Sequence, residues 1–336
     1  MREDTATTID NIGIEIKKDT FSRDWSLYNL SQTREKMAFL RILDRAVDSM
    51  DIPYDYKGTG RPPIPKSDML KCCVIKAFNC FSSRRTIAEL QLAHALGYIN
   101  EVYHFNTISK YMRDPELSPY LHQLYKTLAL PMVDIESTFA IDATGFSMPH
   151  RDRWVKVRFD KQYTKMRYWK KLHAICGVRT QAITSCKVTE GTKSDMNEFE
   201  PLVKQTAKRF RMREICADAG YLSRKNCGIA SSVGAVPYIM PRKGVTPRPM
   251  TYPSWRQMIR LWKENEQAFR DHYHKRSVVE SAFSALKRKF SGSLRSKDDT
   301  GQVNEILCKV VCHNAAVLVS SIFALGVDEH LAYKSG

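Results

Sequence analysis

STFAIDATGF, residues 137–146, is an apolar run that reaches an acid, Asp142, and its reading decides the fold. Phe139, Ala140 and Ile141 form a stretch too short for a helix, with aromatic and β-branched residues that suit a half-buried pleated surface. It is read as a strand closed by Asp142. A second run of the same design, REICADAGY at residues 213–221, closes on Asp218. Between them, KLHAICGVRT (171–180) and AITSCKVTEG (182–191) read as two strands joined by a turn around Thr180 and Gln181. SDMNEFEPLVKQTAKRF (194–210) follows as a helix with Ser194 or Asp195 at its N-cap and basic residues in its last turn.

SRKNCGIASSVG (223–234) reads as a short helix and AVPYIMPRK (235–243) as another strand. A Trp- and charge-rich stretch then leads into the helix that holds Glu280. Upstream, RWVKVRF (153–159) alternates like a strand or hairpin arm. The order of three strands, helix, strand, helix, strand, helix predicts a mixed α/β sheet flanked by helices. An acid at a strand end is well placed to face a ligand crevice, although either acid alone reads equally well as a turn residue or helix cap.

The first 130 residues have a different texture. KGTGRPPIP (57–65) is a Gly/Pro-rich break, after which DMLKCCVIKAFNCF (68–81) reads as an apolar helix with Ser67 or Asp68 at its start. SSRRTIAELQLAHALG (82–97) is a helix stopped by Gly97, and FNTISKYMRD (105–114) a shorter one capped by Asn106 or Thr107. These suit a helix-turn-helix-like module, with Arg84, Arg85 and Lys110 as its DNA-facing cations. The expected divisions are an N-terminal extension over 1–60, a helical DNA-binding domain over 61–130 and an α/β domain over 131–330.

The 336-residue chain carries 53 Lys and Arg against 36 Asp and Glu, a net charge of +17, and the natural compensating partner is a polyanion. Residues 151–179 alone hold ten Lys or Arg against two acids, interleaved with Trp154, Phe159, Tyr163, Tyr168 and Trp169. Cations beside aromatics suit backbone tracking and base stacking, with Trp154, Arg158, Trp169, Lys170 and Lys171 as the contacts. Trp255 and Trp262 could stack on a flipped base, but packing is the commoner fate of such residues.

Nine cysteines with no C-x-x-C pair argue against a disulfide framework or zinc ribbon and for a reducing cytoplasm. Cys308, Cys312 and His313 lack a second ligand pair and read as core. MREDTATTID has no apolar segment of a signal peptide. ILCKVVCHNAAVLVSSIFALG (306–326) is interrupted by Lys309, His313 and Asn314, so it reads as a buried helix rather than a membrane span.

In YHKRSVVESAFSALKRK (273–289) and the Phe290 that follows it, Val279, Ala282, Phe283, Leu286 and Phe290 fall on one helical stripe, and Arg276, Glu280 and Lys287 on a second along its flank. An i,i+4 Arg276–Glu280 pair would account for part of this, but not for Tyr273 and Lys287 in register. Tyr273, Arg276, Glu280 and Lys287 reproduce the Y-x2-R-x3-E-x6-K signature of insertion-sequence DDE transposases. IDATGF around Asp142 resembles that family's first-aspartate motif, ADAGY around Asp218 its second, and GRPPIPKSDMLK with the two helices after it the N-terminal module. The resemblance covers about residues 60–320. Ala143 and Ala219 depart from it, standing where a serine and a polar residue are expected.

The resemblance implies a ribonuclease H-like catalytic core that cuts element ends and joins them to target DNA. Asp142, Asp218 and Glu280 would be its catalytic acids, holding two Mg²⁺ or Mn²⁺ ions. Tyr273, Arg276, Lys287 and Arg288 would grip the strand beside the scissile phosphate. The expected partners are the terminal inverted repeats of the element and target DNA, with a homodimer in the DNA complex. No membrane partner is expected, and the expected setting is a prokaryotic cytoplasm at the nucleoid. A metal-dependent endonuclease of the same fold would share the acids without joining ends. A domesticated DNA-binding protein would have lost at least one of them.

Overall fold

In the computed structural model, residues 24–54, 56–148, 169–242, 244–245 and 252–327 are described, together with the backbone of a small antiparallel pair, β1 (Thr7–Ile9) and β2 (Glu15–Lys17). The expected strand over 137–146 is β3, Thr138–Ser147, and it does not stop at Asp142. β4 (Trp169–Gly177) pairs with it antiparallel, from Phe139 opposite Gly177 to Ser147 opposite Trp169. Its parallel neighbour β6 (Glu214–Ala217) reaches only as far as Ala217 beside Ile141. Asp142 thus lies inside β3 but at the point where one of its neighbours ends.

β5 (Ile183–Glu190) completes an antiparallel hairpin with β4, and β7 (Val236–Ile239) pairs parallel with β6. The sheet order is β5-β4-β3-β6-β7. The β4–β5 turn falls where expected, with Gln181 at φ 67. Buried Glu136 clamps it by accepting from Arg179 N, Thr180 N and Thr180 Oγ1. RWVKVRF lies outside the described residues. The architecture is the expected ribonuclease H-like α/β fold, a mixed five-stranded sheet with helices on both faces.

Side-chain alternation along the strands sorts residues into two cores. Phe139, Ile141 and Ile175 share one core with α6 (Phe199–Ala207), α7 (Arg224–Ser232), α8 (Pro253–Glu264) and α9 (Glu266–Tyr273). Ala140, Leu172, Ala174 and Cys176 face α10 (Ser277–Phe290) and α11 (Asp299–Leu325). That second core runs without a break into α1 (Trp25–Asp48), α2 (Lys66–Phe78), α3 (Ile87–Ala95), α4 (Phe105–Met112) and α5 (Leu117–Ala129). The N-terminal helices and the sheet therefore share apolar packing.

The caps differ in places from the sequence reading. Asp68 starts no helix; it is buried and accepts from Asn100 N at 2.9 Å and Tyr103 Oη at 2.5 Å, while Pro65 stands at the N-cap of α2. α4 is capped by His104, whose Nδ1 accepts from Asn106 N. Gly97 follows α3 at φ 78, as expected of a helix stop.

α11 is long and apolar enough to cross a membrane, but most of that apolar stretch is buried inside the protein. Its polar residues explain why it is core. Asn314 Nδ2 donates to Tyr125 O and Ile183 O, and its Oδ1 accepts from Ile183 N, stapling α11 to α5 and β5. His313 Nε2 lies 2.9 Å from Gln181 O, and burial pushes its imidazole down to about 4, so it is a neutral donor. Cys308 and Cys312 are free and buried, and among the described residues no His, Cys, Asp or Glu group gathers around them for a metal.

Removing the Asn314 amide would orphan two buried carbonyls and an N–H, each costing about 1–3 kcal/mol. Asn314→Ala is therefore expected to lower the unfolding free energy by about 3 kcal/mol in a urea titration, without loss of secondary structure.

Candidate active site

The β3–β6 register determines where the two aspartates meet. Ile141 and Ala217 are partners, so Asp142 and Asp218 are the next residues along two parallel strands, which run about 4.8 Å apart. Asp142 follows the alternation of Ala140, and Asp218 that of Cys216, Ala140's partner, so both side chains leave the same face of the sheet. That is the face on which α10 packs. Asp142 Oδ1 accepts from Ala143 N at 2.8 Å. Asp218 Oδ1 accepts from Gly220 N at 2.8 Å and caps the short 3-10 turn Ala219–Tyr221. A Cβ on Gly220 would come within 2.9 Å of that oxygen, so the close approach depends on glycine.

Glu280 comes from α10, whose buried residues are Val279, Ala282, Phe283, Leu286 and Phe290, the stripe expected from the sequence. Docking that stripe leaves Glu280 in the first turn with its carboxylate about half exposed. The signature is not one helix. Tyr273 ends α9, a 3-10 turn spans His274–Arg276, and α10 begins at Ser277. The bend turns Arg276 back over the acids: its Nη1 lies 3.2 Å from Asp142 Oδ2 and its Nη2 2.7 Å from Glu280 Oε1. Tyr273 packs its ring beside Phe269 and under the Arg276 guanidinium. Lys287 is half-buried with Nζ 5.5 Å from the Phe146 ring, and burial lowers its pKa. Arg288 is exposed.

Burial pushes the Asp142 carboxyl up to about 6. The Ala143 N–H and the Arg276 charge oppose the rise, and the negative charges of Asp218 and Glu280 add to it. Asp142 therefore feels both other acids, and the oxygens of all three are the hard donors that Mg²⁺ or Mn²⁺ prefers. Among the described residues, however, no three acids stand close enough to share an ion. The donor chemistry fits a divalent cation, while a guanidinium occupies the space between Asp142 and Glu280.

The other expected DNA contacts divide by exposure. Lys170 is 3 % exposed and its ammonium is taken by Glu190 and Asp299, which leaves it no open face toward a phosphate. Lys171 donates to Lys193 O and Asp195 Oδ1. Trp169 is exposed, its indole lying over Gly145 and Gly191, where added Cβ atoms would come within 3.3 and 2.2 Å of the ring. Arg84 and Arg85 are exposed and rest on Phe105 and Phe81, and Lys110 is exposed on α4. Trp154 and Arg158 lie outside the described residues. Trp255 is buried and Trp262 partly so, which makes both packing residues.

Sequence reasoning missed two features next to these acids. Asp195, expected as a helix cap, makes no cap bond; its Oδ1 lies 3.0 Å from Lys171 Nζ and 3.2 Å from His173 Nδ1. The i,i+2 spacing of Lys171 and His173 on β4 was the available signal. Tyr221 is buried with its hydroxyl unpartnered among the described residues, and burial together with Asp195, Asp142 and Asp218 raises its pKa.

A raised carboxyl binds its proton more tightly in the folded than in the unfolded chain. Asp142 therefore costs stability increasingly as pH climbs from the ordinary carboxylate range through about 6. Asp142→Asn removes that cost. The metal-free variant is expected to exceed the parent by about 2–3 kcal/mol of unfolding free energy at pH 7.5 and to match it near pH 3.5, read from denaturant titrations at both pH values.

Comparison with known proteins identifies the family. Residues 134–315, more than half of the chain, match the family model described as "Transposase DDE domain". Residues 28–114 match a second, described as "Transposase domain (DUF772)". The chain is similar to a probable transposase for insertion sequence element ISA1214 of Archaeoglobus fulgidus, 25% identical over 261 residues that cover 77% of each protein. The chain belongs to the transposase DDE domain family and is a DNA transposase of the insertion-sequence type, a polynucleotidyl transferase that depends on divalent metal.

Proposed function

We propose that Asp142, Asp218 and Glu280 are the catalytic acids of this transposase and hold two Mg²⁺ or Mn²⁺ ions, with Asp142 between them. The observation that carries this reading is the adjacency of Asp142 and Asp218 at the end of β6, with Glu280 reaching the same face and joined to Asp142 through Arg276. Bound there, the ions would supply an activated oxygen nucleophile and a stabilised leaving oxygen for in-line displacement at phosphorus.

The chain's own residues would orient the strand. Arg276 would offer a fork to a phosphate and Lys287 a point charge, while Arg288 would extend the grip along the outer side of α10. Tyr273 would support Arg276 through its ring. Trp169, exposed above two glycines and five residues along β4 from Ala174, the strand partner of Asp142, suits stacking on an unpaired base. Arg84, Arg85 and Lys110 would hold duplex farther from the cut, and Lys171 would add charge at the sheet's rim. Terminal inverted repeats and target DNA are the proposed substrates. A homodimer would pair two element ends, and the work would take place at the nucleoid in the cytoplasm.

Asp142→Ala, Asp218→Ala and Glu280→Ala are each expected to lower metal-dependent cleavage of an element-end duplex by at least about a thousandfold, with DNA affinity changed less than about threefold. Cleavage surviving in any of the three refutes the assignment. Lys287→Ala should weaken binding of all sequences alike and flatten the salt dependence by about one counterion; an unchanged slope means Lys287 touches no phosphate.

A further inference from the structure

Arg276 holds a position that one phosphate contact does not explain. Asp142 has a donor on each oxygen: Ala143 N on Oδ1 and Arg276 Nη1 on Oδ2. The other arm of the same guanidinium lies 2.7 Å from Glu280 Oε1. Arg276 is about four-fifths buried, and its neighbour Lys275 is already paired with Glu214. One planar cation thus cross-links the two acids that come from different elements, the β3 strand and the α10 helix.

We propose that Arg276 is a positioning residue with two alternative partners, and that its exchange couples metal loading to DNA binding. This rests on the reading of Asp142 and Glu280 as metal-holding acids. Without DNA, the guanidinium takes the carboxylate oxygens that a divalent ion needs, keeps two like charges aligned and leaves the acids poorly available. A strand phosphate competes for the same fork, since a guanidinium pairs with phosphate in two-pronged fashion much as it does with carboxylate. Once Arg276 turns to phosphate, both acids are released facing a newly arrived anion. Linkage makes the effect reciprocal: whatever factor DNA adds to metal affinity, metal adds to DNA affinity. The protein thereby assembles a reactive centre only where a strand is present to be cut.

The test is Mn²⁺ binding to the full chain, followed by the electron paramagnetic resonance signal of free Mn²⁺ at low ionic strength, with and without a short duplex oligonucleotide. Without DNA, Arg276→Gln is expected to bind Mn²⁺ about tenfold more tightly than the parent, which corresponds to about 1.4 kcal/mol. Arg276→Lys, which keeps the charge but loses the planar fork that spans the two acids, should fall between the two. The duplex should tighten Mn²⁺ binding severalfold in the parent and leave Arg276→Gln nearly unchanged. Arg260→Gln, which removes an exposed charge from α8, controls for net charge and should shift Mn²⁺ affinity less than twofold.

Unchanged or weaker Mn²⁺ binding by Arg276→Gln overturns the proposal. So does equal tightening by Arg260→Gln, or an equal DNA effect in parent and variant. Asp142→Asn separates the two levels of the argument. If it binds Mn²⁺ as the parent does, the acids are not the ion's holders and the inference falls with that reading. If it loses Mn²⁺ while Arg276→Gln gains nothing, only the coupling role of Arg276 fails.

Discussion

The parallel pairing of β6 with β3 is the constraint on which the site depends. Four residue pairs, from Thr138 with Glu214 to Ile141 with Ala217, fix the register. A slip by one residue would turn a whole strand's side chains to the opposite face and would separate Asp142 from Asp218. The early end of β6 matters equally. β3 continues for six residues past Ile141 with β4 on one side and no β6 ladder on the other, so Asp142 stays in the sheet beyond the last β6 pair. A rigid central strand is a better mount for a carboxylate than a loop, because its backbone is held along its full length.

Glu280 is brought in by a different device. The apolar stripe from Val279 to Phe290 seats α10, backbone bonds of Gly292 and Leu294 with Ser147 of β3 hold its far end, and the bend at His274–Arg276 sets the angle at which the polar flank passes the strand. Arg276 then ties strand to helix through ion pairs. The site is thus held by hydrogen-bonded register at two corners and by side-chain packing at the third, and the third has the greater freedom to adjust.

Much of this was legible in the sequence because it follows from period. The alternation around Ile141, the turn at Gln181 and the stripe of α10 all appear where pattern puts them. What pattern could not supply was context. Asp142 looked like a strand end because the apolar run stops there, but strand length was settled by β4, a distant partner. Asp68 and Asp195 carry cap-forming side chains, and tertiary partners claimed them: Asn100 and Tyr103 for one, Lys171 and His173 for the other. Lys170 lies in the most basic stretch of the chain, yet alternation turned it inward to Glu190 and Asp299. Charge counts say how many cations a segment has, and only the fold decides which of them reach solvent.

The course of α11 has a consequence for how the protein is made. This helix, at residues 299–325, fills the space between α1, α2 and α5, and its Asn304 and Asn314 tie down Met112, Asp114, Tyr125 and Ile183. Helices α1, α2 and α5 therefore wait for α11, made much later, before their apolar surfaces are covered. A product that ends early would carry those helices exposed, a substrate for proteolysis rather than a shortened DNA-binding protein that competes with the complete one for the same sites.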